Sequence, residues 1–436
     1  MRRFFMHTNA IAFNKIIKDM FLTYHGFPRV VYFIFIARFI NSMGYFVFPF
    51  LTLFLTKNLS LGAEKVGIYL MLVEMGRISG ALCGGKLADF FGRKSVLLVS
   101  QIATAVFLFP CAFLGKSILI PNLLIFAAFF NGAVHPAIDA ILVDVSHPAN
   151  RKEIFSFIYL GLNLGFGIGS LIAGFLYTNY MQLLFLGNVL AILIVSVVIA
   201  IYVPETRPEV IVTTTLNRVN AGPGADMLNR KKPEKMISSL VNQPIVLYFF
   251  LVSIIFFLVH SQFFFSLPLQ IDAIFLEHGP EYFGVVMSFN CLVVVLMTLP
   301  ITWWFRQNRP VINVFWSGLL FAIGFGMLRW VSFLGWILLS TFIWTLGEIL
   351  LRINAGVFIA NHSPDTLRGR FNSLVTVSGS IGRIIGPPLL GLIIAGYGIR
   401  SIWAAIFILS ILASVLMFFI YRYELHSINI EKKQEF

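Results

Sequence analysis

Charge is what this sequence has least of. Only 12% of its 436 residues are Asp, Glu, Lys or Arg, against about 25% in soluble domains. So few charges cannot cover a water-facing surface for a chain of this length, which excludes a soluble multidomain protein. Cysteine is equally sparse: Cys83, Cys111 and Cys291 stand far apart in apolar stretches. That spacing suits neither a disulfide framework nor a zinc site, so no metal or other cofactor is expected. No phosphate-cradling loop ends in Lys-Ser or Lys-Thr, which removes ATP as the energy source. The run GLNLGFGIG at 161–169 has no strand before it and lies in an apolar segment, so it is not a dinucleotide fingerprint. With no nucleophile motif either, the chain is not expected to be an enzyme. A clean apolar signal core is also missing from the N-terminus. Residues 2–22 mix Phe4, Phe5, Ile16, Ile17 and Phe21 with Arg2, Arg3, Lys15 and Lys18, and read as a helix on the membrane surface or a cytosolic tail.

What is present is apolar length. Hydrophobic residues make up 58% of the chain, and Phe alone occurs 47 times. A membrane-crossing helix needs about 20 mostly apolar residues. Twelve spans fit: 29–56, 64–89, 94–115, 119–146, 151–178, 181–203, 242–270, 281–305, 310–330, 333–361, 367–396 and 399–424. The expected fold is all-α, two six-helix bundles related by a pseudo-twofold axis. The organisation expected is an N-terminal segment over 1–28, bundles over 29–203 and 242–424, a linker over 204–241 and a tail over 425–436. The linker carries Pro204, Pro208, Pro223, Pro233 and the run Arg230, Lys231, Lys232.

The net charge of +13 follows the same division. With both termini cytosolic, 23 of the 32 Lys and Arg fall in cytosolic segments and five outside. This bias sets orientation and explains the basic balance without nucleic acid. The expected setting is the cell (cytoplasmic or inner) membrane, as a multi-pass monomer whose partners are lipid, protons and a small-molecule substrate.

The halves repeat at a fixed offset of 217 residues. Gly67 maps to Gly284, Ser146 and Arg151 to Ser363 and Arg368, and Ser156 to Ser373. Gly165, Gly169 and Gly174 of the fifth span map to Gly382, Gly386 and Gly391 of the eleventh. Internal repeats mark secondary transporters, whose binding site lies at the repeat interface.

The loop after the second span reads GGKLADFFGRKSVLL over 84–98. Gly84 and Gly85 suit close helix approach. Asp89 and Gly92 suit a tight turn, with Asp89 near the start of the third helix. With Gly85, Asp89, Gly92, Arg93 and Lys94 in place, this loop resembles the signature of the major facilitator superfamily. Gly132, Pro136, Ala140, Asp144, Arg151, Asn163, Gly165, Gly169 and Gly174 in the next hairpin, with Arg38, Gly44 and Pro49 in the first span, resemble the drug–proton antiporter branch. The resemblance implies a cytosolic latch between Arg93 and Asp144. Two positions depart from the branch: Ala128 stands where Arg is frequent, and Gly169 is followed by Ser170, so a Gly-Pro pair survives only as Gly386-Pro387.

Ionisable residues inside spans are costly and mark function. Glu74 and Arg77 are three apart, while His135 and Asp139, and Glu348 and Arg352, are four apart, so each pair shares a helix face. Asp139, Glu348 and Glu74 are the candidate proton carriers; Asp139 has no cationic neighbour on its own helix except His135. Arg38, Arg77, His135, His260, Arg352 and Arg383 are candidates for the substrate cavity, and their arginine excess suits an anionic or zwitterionic cargo. The leading expectation is proton-coupled export of a small organic molecule by alternating access. Proton-coupled import of an anionic or zwitterionic nutrient, peptide or metal-chelate is the alternative, and a transporter-like sensor a third.

Overall fold

The computed structural model describes residues 26–206, 240, 243–364 and 368–434, without the side chains of 368–370 and 427–434. The expected surface helix over 2–22, most of the 204–241 linker with its Arg230–Lys232 run, and the side chain of Arg368 lie outside the described residues.

Helix is the regular secondary structure found among the described residues. The helices are α1 (Arg29–Met43), α2 (Ala63–Phe91), α3 (Arg93–Leu108), α4 (Leu119–Val145), α5 (Arg151–Tyr177) and α6 (Met181–Tyr202), then α7 (Pro244–His260), α8 (Gly279–Phe305), α9 (Pro310–Met327), α10 (Leu334–Asn361), α11 (Arg368–Tyr397) and α12 (Ile402–Gln434). Ten described stretches are long and apolar enough to cross a membrane. One of them, Pro244–Phe305, is two passes run together, and the broken first pass adds another, giving twelve. Large apolar side chains such as Phe90, Val99, Trp304 and Phe419 stay exposed, as a lipid-facing belt requires.

Two spans expected to be continuous are broken. The first stops at Met43 and resumes as α1b, Leu51–Leu53 followed by a π-turn over Phe54–Asn58. Pro49 lacks an N–H and cannot donate the hydrogen bond a helix interior requires of it; the new helix starts just past it. The seventh stops at His260 and resumes as α7b, Ser266–Phe275, so that Pro268 falls in its first turn. There Pro268 cannot donate to the Phe264 carbonyl, which instead accepts the Thr52 hydroxyl of α1b at 2.7 Å. The breaks begin at Gly44 and Ser261, positions related by the 217-residue offset.

The repeat is visible in how the halves touch. α2 packs against α11, and α5 against α8. A Cβ on Gly67 would fall 2.5 Å from the Pro387 carbonyl oxygen, and one on Gly284 2.5 Å from that of Ser170. Likewise Gly391 meets Ala63 and Gly174 meets Pro280. Each contact is the other's image under the same offset, so a backbone this close tolerates no side chain at either copy. Within each half, Gly165 and Gly169 lie on the α1 backbone at Phe39 and Met43, Gly382 on the α7 backbone at Leu258, and Gly386 against the Ser261 hydroxyl just past the end of α7.

These cross-half contacts lie on the face carrying the ends of α1b and α7b, here the distal face. Lys57 Nζ crosses between the halves there to Asp272 Oδ1 at 2.7 Å and to the Leu276 carbonyl at 2.9 Å. Toward the opposite face, which carries the Gly92 loop and both ends of the linker, the charged side chains of Asp139 and Arg352 are about half exposed. The molecule is closed at the distal face and open toward the linker face.

Candidate functional site

The broken helices line the space between the halves. A cavity of about 430 Å³ takes Tyr45 and Phe48 from the α1 break, and Ser261, Phe264 and Phe265 from the α7 break. Non-helical backbone is tolerated at membrane depth where it lines a cavity. Glu74, Arg77, His135 and Arg383 bring charge and hydrogen-bonding capacity to a wall that is otherwise aromatic, aliphatic and, at Asn41, Ser42, Asn131 and Ser261, neutral and polar.

Glu74 is the centre of that wall. It takes Arg77 in a two-pronged pair at 2.6 and 2.8 Å, and Arg383 Nε of the other half at 2.7 Å. The sequence pairs Glu74 with Arg77; only the fold adds Arg383. One carboxylate thus faces two guanidiniums, and it joins α2 to α11 across the halves.

A second cluster supplies Asp139, which has no Lys or Arg neighbour on its own helix, with a fixed positive partner from α1. Arg38, only 2% exposed, forks between His135 Nδ1 at 2.8 Å and Asp139 Oδ1 at 2.9 Å. Asp139 itself is 55% exposed. The third cluster lies in the second half, where Glu348 and His260 are buried and Arg352 is half exposed. Glu348 takes Arg352 Nε at 2.8 Å and Asn290 Nδ2 at 3.3 Å, with His260 Nε2 3.3 Å away. Of the six cavity candidates, Arg77, His135 and Arg383 line the cavity described above, while Arg38 stands behind it and His260 and Arg352 belong to the Glu348 cluster.

At the linker face, Gly92 adopts φ +102°, a region open to glycine at little cost, and turns the chain directly from α2 into α3. Asp89 therefore sits in the last turn of α2, not at the start of α3; it is exposed and makes no hydrogen bond or ion pair with another described residue. Arg93 pairs with Asp144 of α4 and donates to the Ala140 carbonyl at 3.0 Å. Lys94 Nζ reaches the Ala200 carbonyl at 2.7 Å. Gly84 packs on Ala133, whereas Gly85 faces open space, so the close-approach reading applies to Gly84 alone.

The residue that caps α3 was read only as part of the linker. Glu205 accepts the backbone N–H groups of Arg93, Lys94 and Ser95 at 2.7, 3.1 and 3.2 Å. Slight burial raises its pKa, but these three donors outweigh that and hold it below the ordinary carboxylate value. In the second half Glu424 bridges Arg309 at 3.6 Å and His362 at 3.3 Å. Burial alone would lower the His362 pKa; the Glu424 carboxylate and the Phe358 carbonyl overcome it and raise it. Neither acid carried a sequence signal beyond lying just past a span or at its end.

The profile of the Major Facilitator Superfamily matches residues 34–354 and 279–435. The chain belongs to that superfamily. It is 25% identical over 372 residues, 80% of its own length and 85% of the relative's, to a Na(+), Li(+), K(+)/H(+) antiporter of Planococcus maritimus. It is 24% identical over 186 residues, 42% of its length and 41% of the relative's, to the 4-hydroxybenzoate transporter PcaK of Pseudomonas aeruginosa. Among solved structures, the peptide transporter POT in complex with sulfate superposes with TM-score 0.74 at 16% identity, covering 92% of this chain and 96% of that one. The superfamily and the fold make this a multi-pass membrane transporter of the secondary type.

Proposed function

We propose that the protein carries a small organic anion across the membrane together with a proton, by alternating access. The observation that carries this reading is Glu74 shared between Arg77 and Arg383. Arginine stays protonated in proteins, so the group holds one positive charge in surplus, which an anionic cargo would balance. A proton on Glu74 would leave both guanidiniums free and strengthen anion binding; an anion on them would in turn favour the proton. This mutual preference is a positive coupling between two ligands, and it favours movement in the same direction over exchange. Under the export of a small organic molecule expected first from the sequence, a cationic cargo would find no free carboxylate at this point, since Glu74 is taken by Arg77 and Arg383. Aromatic walls from Phe48, Phe264 and Phe265 suit a ring-bearing cargo, in keeping with the aromatic-acid transporter among the relatives. The linker face, rich in Lys and Arg, is assigned to the cytosol, with both termini there. Moving one anion with one proton carries no net charge, so the pH gradient alone drives accumulation, about 1.4 kcal/mol or roughly tenfold per pH unit.

A second reading, exchange of an inorganic cation for protons, is favoured by the similarity to the Planococcus maritimus antiporter. Liposomes holding a pH-sensitive dye distinguish the two. Benzoate-class anions should drive protons in their own direction, and Glu74→Gln should abolish the coupling. Proton movement against Na⁺ or K⁺, with no response to anions, would establish the second reading instead. Silence toward both classes would overturn coupled transport.

A further inference from the structure

Arg38 does more than neutralise Asp139. A guanidinium has donors and no acceptor, so the 2.8 Å contact between Arg38 Nη1 and His135 Nδ1 requires that Nδ1 accept. The proton of the neutral ring then sits on Nε2. Arg38 is held in that role from the other prong by Asp139, at 2.9 Å and one helical turn along α4. His135 is exposed and lines the cavity, and its Nε2 has no hydrogen-bond partner among the described residues. Gly132, a turn before His135, rests on the Arg77 backbone, which places the imidazole beside the Glu74–Arg77–Arg383 group.

We infer that His135 is a specificity-determining residue: a hydrogen-bond donor of fixed tautomer that selects cargo carrying an oxygen acceptor in addition to its anionic group, with Arg38 as the positioning residue that fixes the tautomer. The inference rests on the organic-anion reading above. A donor locked in this way pairs with a carbonyl, ether or second carboxylate oxygen and is poorly paired against an arylamine, whose nitrogen lone pair is delocalised into the ring. An unpaired donor in a desolvated site costs binding.

The test is binding of benzoate, 3- and 4-acetylbenzoate and 3- and 4-aminobenzoate to the purified protein by isothermal calorimetry. One acetyl isomer should bind about tenfold more tightly than its amino counterpart, the scale of one net hydrogen bond. The amide nitrogen of Gln reaches the imidazole Nε2 position, whereas Asn reaches only the Nδ1 position. His135→Gln should therefore keep at least threefold of the preference, and His135→Asn should bring the ratio near one. Arg38→Met leaves the imidazole in place but frees its tautomer, and should also erase the preference. A merely structural role for Arg38 would weaken all probes alike without changing the ratio. If amino compounds match or exceed acetyl ones while benzoate binds, the donor assignment is overturned and the anion reading stands. If no benzoate binds, both are overturned.

Discussion

Replacing Arg383 with Met asks what holds the distal face closed. Met preserves apolar bulk, and Glu74 keeps Arg77, so no charge is orphaned. What disappears is one charge-assisted hydrogen bond of 2.7 Å between side chains that are 34% and 12% exposed. Hydrogen bonds to charged groups contribute about 1.5–3 kcal/mol. The partial exposure of Arg383 discounts this to about 1–2 kcal/mol. Because the bond crosses the halves, its loss falls on the closed state and raises the distal-open population roughly 5- to 30-fold. Cys291 reports it: the thiol is 3% exposed and sits against Gly167 where α8 meets α5. In a variant whose other cysteines are serine, a water-soluble methanethiosulfonate added from the distal side should modify Cys291 faster by that factor. Glu74→Gln should exceed it, because two guanidiniums then face each other without an acid between them. A modification rate within twofold of the parent, in folded protein, refutes the idea that this bridge secures the closure.

Three further outcomes are expected. Glu205→Ala should cost about 1 kcal/mol through loss of the α3 cap, read as a lower Tm in detergent. Since the Glu205 pKa is depressed below 4.5, that contribution is present above pH 4.5 and disappears as pH falls through the depressed value, so the Tm gap to the parent should close in acid. His362 runs the opposite way. Its pKa is raised above 6.5, so the brace to Glu424 is fully present below pH 6.5 and is lost as pH rises through the raised value. The Tm advantage over His362→Gln should shrink in alkali, and an advantage growing with pH would contradict the brace. Finally, Arg93→Ala should lower stability by about 1–2 kcal/mol and slow transport, while Asp89→Asn, exposed and unpartnered in this state, should leave the Tm unchanged. A large Tm loss for Asp89→Asn would show a contact this conformation lacks.

The breaks in the first and seventh passes show where reading the sequence stops. Gly44, Pro49 and Pro268 are visible, but apolar length alone runs straight through them, and a transmembrane helix can keep a proline when neighbours satisfy the freed carbonyl. That the Phe264 carbonyl is satisfied from the other half, by Thr52, is a fact of three dimensions. The partner of Asp139 was hidden in the same way: its own helix offers only His135, and its cation arrives from α1, 101 residues away.

Local chemistry in the sequence determined what lies within reach of local chemistry. Apolar runs set the passes because unpaired backbone in lipid must fold into helices. The 217-residue offset set the two related halves, and three- and four-residue spacings set the pairs Glu74–Arg77 and Glu348–Arg352. Only the tertiary structure decided which charges meet across helices: Arg383 on Glu74, Arg38 on Asp139, Glu205 on α3 and Lys57 on Asp272. Helical periodicity reports which residues share a face. It is silent on which face of another helix, hundreds of residues distant, will lie opposite, and that pairing is what gives the cavity its charge.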